Sequence, residues 1–476
     1  MANFKEILKH GANYLAANLA TKALAFISIP IYTRILSTHD YGIVSIFIGV
    51  SGILSNLLTL CIDQSVSRYY WDRKSDDDFK EFVGTSLILS SLVFLINSVI
   101  VFSNAEWIGQ LVNLDKEVVY LLIPYALVNI IGLMFDQIYG PMKMSRKIAM
   151  SSLCRVYLGF AFALLFIFIF REKKYLGQIL GLLMAGTLMI VYWYFNIRKF
   201  TRLKFRPEFV KYIFSYSVPL IPYALSGVII EQFGKLTLGQ TSVSTVGYYS
   251  LALTIASIVS IVTVVTHQAW APYYFEHMKA KNYVQHDLEI SRILRFTLLT
   301  AMGISIFGKE IGMILASVEF TGALGLIPIF TFGYVFHQYA YVYMRNISFV
   351  YKSFWLTVTV IVSGASNILL NLFIIPVWGQ TGAAISFAIS YFIMAAAAWG
   401  INKFVIRHYG TPPSKLLVPL LGFFFFSIPV FKLYNIAPFY LAILLKILLM
   451  TAFIIFIAWP ERVFLLQFIN RRSKKP

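Results

Sequence analysis

Charge is what this sequence lacks. Only 13% of its 476 residues are Asp, Glu, Lys or Arg, about half the share a water-soluble domain carries. A chain this long with so little charge cannot cover itself against water, which argues against a soluble enzyme or a soluble binding module. Cysteine is nearly absent too. Cys61 and Cys154 offer neither a disulfide framework nor a metal-ligand cluster, and they read as small apolar fillers. No Gly-x-x-x-x-Gly-Lys-Ser/Thr run occurs, and no loop is long enough to fold as a catalytic domain, so nucleotide hydrolysis within the chain is not expected. Neither a cofactor nor a bound metal is implied by any motif.

What is present is apolar bulk. The chain is 59% hydrophobic and 17% aromatic, with a mean hydropathy of +0.74. Fourteen apolar stretches of about 20 residues, each long enough to cross roughly 30 Å of hydrocarbon as a helix, run from 11–31 and 42–62 through to 415–433 and 438–458. The first has a basic flank, Lys5 and Lys9, but it is too long for a signal-peptide core and is read as a helix. The fold class expected is therefore an all-α polytopic membrane protein.

The net charge of +19 raises the question of nucleic acid, and its distribution answers it. With the N-terminus in the cytosol, 29 of the 40 Lys and Arg residues fall in inner segments and 7 in outer loops, while Lys22, Arg155, Lys309 and Lys446 fall within spans. That asymmetry is the positive-inside rule. The basic excess reports orientation, and no nucleic-acid partner is expected. Arg171, Lys173 and Lys174 form the one outer cluster that fits it poorly.

A weak internal repeat divides the chain. Asp40, Tyr41 and Gly42 open the second stretch, which is followed by Arg68, Tyr69 and Tyr70; Val246, Gly247, Tyr248 and Tyr249 open the eighth, which is followed by Pro272, Tyr273 and Tyr274. Tyr175-Leu-Gly-Gln178 opens the sixth as Val377-Trp-Gly-Gln380 opens the twelfth. In both cases the second copy lies six spans downstream. An even offset makes the halves parallel repeats about an axis along the membrane normal, a known transporter architecture. The expected division is a six-span lobe over 1–206, a second over 207–402, and two further spans with a cytoplasmic tail over 403–476.

Polar residues inside apolar stretches are the functional candidates, because lysine or arginine at depth costs about 2.5–3.5 kcal/mol on insertion scales. Lys22 lies mid-span with Tyr14, Asn18 and Ala25 on its face; it either lines a cavity or pairs with a carboxylate or carbonyl. Arg155 lies a turn and a half into the fifth span and either lines a path or reaches the inner headgroups. Arg34 stands at the outer mouth. Tyr334, His337 or Gln338, Tyr341 and Arg345 share a face of the tenth span, where rings beside polar groups suit either sugar contact or packing. Glu231 and Lys235 are one helical turn apart and, with Asp63, are candidates for gating or coupling. Lys309 and Glu310 read as interfacial, and Lys446 has no explanation in the sequence. In SNILLNLFIIPVWGQTGAAISFAISYF, residues 366–392, Asn367 and Asn371 stand on one helix face and need partners in hydrocarbon. Pro376 is expected to end that helix, with Gly379 and Gly382 forming the turn.

The run Asn367-x-x-x-Asn371-x-x-x-x-Pro376-x-x-Gly379-x-x-Gly382 resembles the eleventh–twelfth helix signature of the polysaccharide-transporter branch of the multidrug/oligosaccharidyl-lipid/polysaccharide (MOP) exporter superfamily. Ile29-Pro-Ile-Tyr-Thr-Arg-Ile-Leu36 with Asp40-Tyr-Gly42, Tyr216-Ser-Val-Pro-Leu-Ile-Pro222, Val246-Gly-Tyr-Tyr-Ser-Leu-Ala252 and Val318-Glu-Phe-Thr-Gly-Ala323 resemble further segments of that family in the same order. The resemblance spans about four-fifths of the chain. It departs late in the seventh helix, where members often carry an Asp-Arg pair and this chain has Glu231 and Lys235.

The resemblance implies a bacterial inner-membrane flippase with both termini cytoplasmic. Its cargo would be an undecaprenyl-diphosphate-linked oligosaccharide, such as an O-antigen repeat unit. Two six-helix lobes would surround a cationic central cavity opening alternately to each face. On that reading Lys22, Asn18, Arg34, Arg155, Tyr334 and Tyr341 contact substrate, and the partners are membrane lipids and, beyond them, a glycan polymerase with its chain-length machinery. The rivals are an ion-coupled multidrug exporter of the same superfamily, which would want carboxylates deep in the bundle, and a glycan polymerase or ligase, which would want a sizeable catalytic outer loop.

Overall fold

The computed structural model describes residues 20, 21, 23–434 and 439–459, and among them every regular element is a helix. The first is the short apolar helix α1 (Ala23–Ile35). It is followed by α2 (Thr38–Thr59), α3 (Ile62–Asp72), α4 (Asp76–Ser103), α5 (Ala105–Val112), α6 (Lys116–Tyr139), α7 (Ser145–Ile169) and α8 (Lys174–Ile197). Then come α9 (Pro207–Gly239), α10 (Val243–Ala256), α11 (Ile258–Lys279), α12 (Tyr283–Leu315), α13 (Ile327–Phe349), α14 (Ser353–Gly400), α15 (Pro413–Leu433) and α16 (Phe439–Ala458). Twelve candidate spans are long and apolar enough to cross a membrane, and one of them runs from Ser353 to Ile406. Gly379 breaks that helix with φ 53° and ψ −132°. Counting it as two and adding α1 recovers the fourteen stretches of the sequence. The protein is an all-α polytopic membrane protein.

Helix starts follow local chemistry. At α2 the Ser37 hydroxyl accepts from the Asp40 N–H at 3.1 Å, and the Asp40 carboxylate accepts from the Ser37 N–H at 3.3 Å, a reciprocal capping box. At α4 Ser75 accepts from the Asp78 N–H, and Asp76, Asp77 and Asp78 place three carboxylates at the positive end of the helix.

Two details differ from the sequence expectation. Pro376 does not end its helix; the backbone stays helical through it, and the break falls at Gly379, the residue that can adopt positive φ at no steric cost. The second stretch is also interrupted. Leu60 and Cys61 both take left-handed conformations, φ 52° and 55°, so that α3 sets off as a separate helix.

The chain forms two compact units. Of the described residues, one unit holds those up to Leu251 with Leu315–Thr321 and Thr357–Ser390; the other holds Ala252–Ile314, Gly322–Leu356 and those from Tyr391 onward. In the first unit Tyr69 stacks on Phe82 at 3.8 Å, with Phe209 edge-on to both. Helices α7 and α8 pack backbone to backbone, and a Cβ at Gly177 or Gly181 would strike the main chain near Ile167 or Ala163. Small residues permit this approach where lipid supplies no hydrophobic drive for association. The segment after α8 is strapped to α4, since the Arg202 N–H donates to the Lys80 carbonyl and Glu81 takes Lys204 and Arg206 at 3.2 and 3.1 Å.

In the second unit the unexplained lysine finds its partner. Lys446 on α16 is fully buried and donates to both oxygens of Glu310 on α12, at 2.7 and 2.8 Å. The neighbouring Lys309 bonds the Tyr434 carbonyl, and the Tyr434 hydroxyl donates to the Ser305 carbonyl at 2.9 Å. Glu310 is therefore the counter-ion of Lys446.

Candidate functional site

Polar residues at helical spacing on four helices of the first unit meet in one cavity. Ser51, Ser55 and Asn56 come from α2, Asn129 and Asp136 from α6, Ser151, Ser152 and Arg155 from α7, and Trp193 from α8, with Val228 of α9 closing one side; the volume is about 550 Å³. Each helix contributes its small or polar stripe because apolar residues on its other faces pack or meet lipid. Gly132 leaves room for the Trp193 indole, whose Cη2 lies 2.9 Å from where a Cβ would stand.

The Arg155 guanidinium organises this cavity. It donates to the Asn129 side-chain oxygen and sits 5.9 Å from the Trp193 ring centroid. The Trp193 N–H in turn donates to the Ser151 hydroxyl at 2.7 Å, so the indole is fixed in place. Asp136 lines the same space. Of the two settings the sequence left open for Arg155, the side chain adopts the cavity, held by Asn129 and Trp193. Asn129, Asn56 and Trp193 were not singled out from the sequence. Their signal was there: Asn129, Gly132 and Asp136 fall on one face of α6, spaced three and four apart.

The other candidates lie elsewhere. Lys22 and Asn18 fall outside the described residues. Arg34 is exposed and donates to the Pro30 carbonyl at 2.7 Å. Asp63 is buried in the first turn of α3, where the N–H groups of Asp63 and Gln64 serve its carboxylate. Glu231 is exposed on α9, and Lys235 is half-buried one turn on, with Glu231 as its charged neighbour.

The asparagine hairpin lies in the first unit. The Asn371 amide donates to both the carbonyl and the side-chain oxygen of Asn367, at 2.9 and 2.8 Å. Asn367 donates to the Ser390 hydroxyl across the hairpin at 3.0 Å, and Ser363 donates to the Ser390 carbonyl at 2.7 Å. Gly382 lets the returning helix pass the Ile374 carbonyl, 2.7 Å from where a Cβ would stand.

Tyr334 and Tyr341 belong to the second unit. Tyr341 lies between two imidazoles, 5.2 Å from His267 and 4.8 Å from His337, and Tyr391 stands 4.4 Å from His337 and 6.4 Å from Tyr334. His267 and Tyr391 come from α11 and α14, which the sequence alone did not join to this face.

Residues 7–278 match the family described as polysaccharide biosynthesis protein. An uncharacterized membrane protein of Methanocaldococcus jannaschii is 22% identical over 463 residues, 89% of each chain. A protein of the Lsg locus of Haemophilus influenzae is 22% identical over 307 residues, 62% of this chain and 72% of that one. Among solved structures, the lipid II flippase MurJ in an inward closed conformation matches with a TM-score of 0.71 at 14% identity, over 95% of this chain and 99% of that one. An inward-facing multidrug resistance transporter of the MATE family, MOP superfamily, matches with a TM-score of 0.59 at 16% identity, over 82% and 94%. At such identities the structural likeness is one of fold.

Proposed function

We propose, because this chain belongs to the polysaccharide biosynthesis protein family and has the fold of membrane transporters and flippases, that it moves an undecaprenyl-diphosphate-linked oligosaccharide from the inner to the outer leaflet. The membrane is a bacterial inner membrane, both termini face the cytosol, and the repeated lobes 1–206 and 207–402 alternate access to a polar, cationic cavity. The O-antigen repeat unit is the cargo type that the family resemblance favours.

The supporting observation is the Arg155 cavity. A glycan head crossing the bilayer loses its water, and each sugar hydroxyl then needs a substitute partner. Asn56, Asn129 and Ser152 offer amides and a hydroxyl in that space, and Arg155 offers a donor fork for phosphate oxygens. Arg155 and Asp136 are the basic and the carboxylic side chains that line it.

The test is a vesicle assay with this protein as the sole component and a fluorescent undecaprenyl-diphosphate-linked glycan in the inner leaflet. Protein-dependent appearance of the glycan outside, read by a membrane-impermeant quencher, is the expected result. If the glycan stays put while a cationic drug is moved against an ion gradient, the exporter reading replaces this one.

A further inference from the structure

The first unit carries an apolar slot between α4, α6 and α8, three of the candidate spans, with a volume of about 640 Å³. Ile130 and Met134 of α6 form its buried back, and Leu95, Leu127 and Tyr194 stand exposed at its edges, so it opens sideways into the bilayer. On α4 the lining reaches from Leu87 to Leu95, about 12 Å at the helical rise and most of the roughly 15 Å depth of one hydrocarbon leaflet. Its mouth is Arg198, at the end of α8 that the charge distribution assigns to the cytosol. Arg198 and Tyr194 lie one helical turn apart, and neither the guanidinium nor the phenol hydroxyl has a hydrogen-bond or ion-pair partner among the described residues. No Asp or Glu lines the slot. The chain beyond Arg198 is held close on α4, where a Cβ at Gly84 would strike the Arg202 carbonyl. Deeper in the slot, Ser90 is 4% exposed and its hydroxyl has no partner among the described residues, although buried polar groups are almost always paired.

We propose that this slot is a binding site for an anionic glycerophospholipid of the inner leaflet, with one acyl chain between α4, α6 and α8 and the headgroup phosphate on Arg198. Position decides the apolar part, because a slot that opens at acyl-chain depth meets acyl chains. Charge decides the headgroup. Arg198 is a cation at a mouth whose lining holds no carboxylate, and a basic pocket between helices on the cytoplasmic side suits an anionic lipid. A zwitterionic headgroup would bring an ammonium toward the guanidinium and lose part of that attraction. The planar fork of Arg198 matches two phosphate oxygens, and the Tyr194 hydroxyl adds a donor beside it. Glycerol ester carbonyls lie deeper than the phosphate, on the side of the Ser90 hydroxyl, and they accept hydrogen bonds. The slot and the Arg155 cavity use different faces of α6, with Ile130 and Met134 on the first and Asn129 and Asp136 on the second. The bound lipid therefore packs behind the helix that carries Asn129. This inference goes beyond the transport reading and holds whatever the cargo is.

The full-length protein is reconstituted in phosphatidylcholine nanodiscs with a trace of phosphatidylglycerol that carries a photo-activatable diazirine midway along one acyl chain. Labelled peptides are then mapped. Labelling is expected to concentrate on residues 87–95 and 190–197. Unlabelled phosphatidylglycerol should displace the probe at about fivefold lower concentration than phosphatidylethanolamine, the effect of one basic residue near a membrane surface. Arg198→Gln, a change at an exposed side chain, should bring the two competitors level while the slot is still labelled. Lys199→Gln, an exposed neighbour outside the lining, should leave the fivefold difference in place. Label spread evenly over the lipid-facing helices overturns the site. Equal competition by the two phospholipids in the wild type overturns the headgroup assignment, as does a difference that survives Arg198→Gln. Undecaprenyl diphosphate displacing the probe at lower concentration than phosphatidylglycerol would give the slot to a polyprenyl tail and overturn the proposal.

Discussion

Gly42 and Gly247 stand in reciprocal contact. A Cβ on Gly42 of α2 would strike the carbonyl of Val243 at the start of α10, and a Cβ on Gly247 of α10 would strike the carbonyl of Thr38 at the start of α2. The separation in sequence from Thr38 to Val243 equals that from Gly42 to Gly247, so the two contacts are copies of one another within the internal repeat. Phe320 covers them, edge-on to Tyr41 at 5.6 Å and to Tyr248 at 6.4 Å.

This crossing lies on the face that the charge distribution assigns to the outside, and it holds only while both positions lack a side chain. Gly42→Leu or Gly247→Leu should part α2 from α10 at an overpacking cost of about 1–3 kcal/mol. That corresponds to a shift of roughly 5- to 150-fold in the open population. The check is labelling of a Val243→Cys reporter by an impermeant thiol reagent from outside, which should accelerate. Gly227→Ala, with open space around it, should label at the control rate.

Arg155 makes a prediction of its own. Arg155→Gln removes the charge and the fork while keeping an amide, and it should cut glycan transfer about tenfold or more, since hydrogen bonds to charged groups contribute about 1.5–3 kcal/mol. Arg155→Lys should recover only part of this, because an ammonium is a point charge without the planar fork. Initial rates in the vesicle assay, normalised to reconstituted protein, decide the matter.

The Lys446–Glu310 pair predicts a pattern in stability. Lys446→Met alone leaves Glu310 without its buried counter-ion and should cost about 3–5 kcal/mol. Removing both charges, with Lys446→Met and Glu310→Met together, should restore most of the loss. Thermal unfolding in detergent distinguishes the two variants, and a double variant as unstable as the single one would contradict a charge-pairing role.

The asparagine hairpin predicts modest, coupled effects. Asn367→Leu removes the link to Ser390 and one of the two acceptors of the Asn371 amide, and it should destabilise by about 1 kcal/mol, in the range of interhelical hydrogen bonds in membranes. Ser390→Ala on top of it should add less than it costs alone, because both changes break the same bond. A double-mutant cycle on melting temperature checks this.

Composition by itself determined the class of this protein, and apolar length determined its spans, because a helix must satisfy its own backbone wherever water is excluded. The repeat and the hairpin motif were equally readable, since turns and close contacts demand glycine at fixed positions. The sequence could not say which polar residues meet. Arg155 was visible as an isolated cation, but Asn129 comes from the preceding span and Trp193 from the following one, and only packing turns their faces together. Lys446 was inexplicable for the same reason, its partner Glu310 lying on α12 across a long stretch of chain. Helical periodicity states which residues share a face. Which faces touch is a property of tertiary structure, because it depends on how every other helix is already placed.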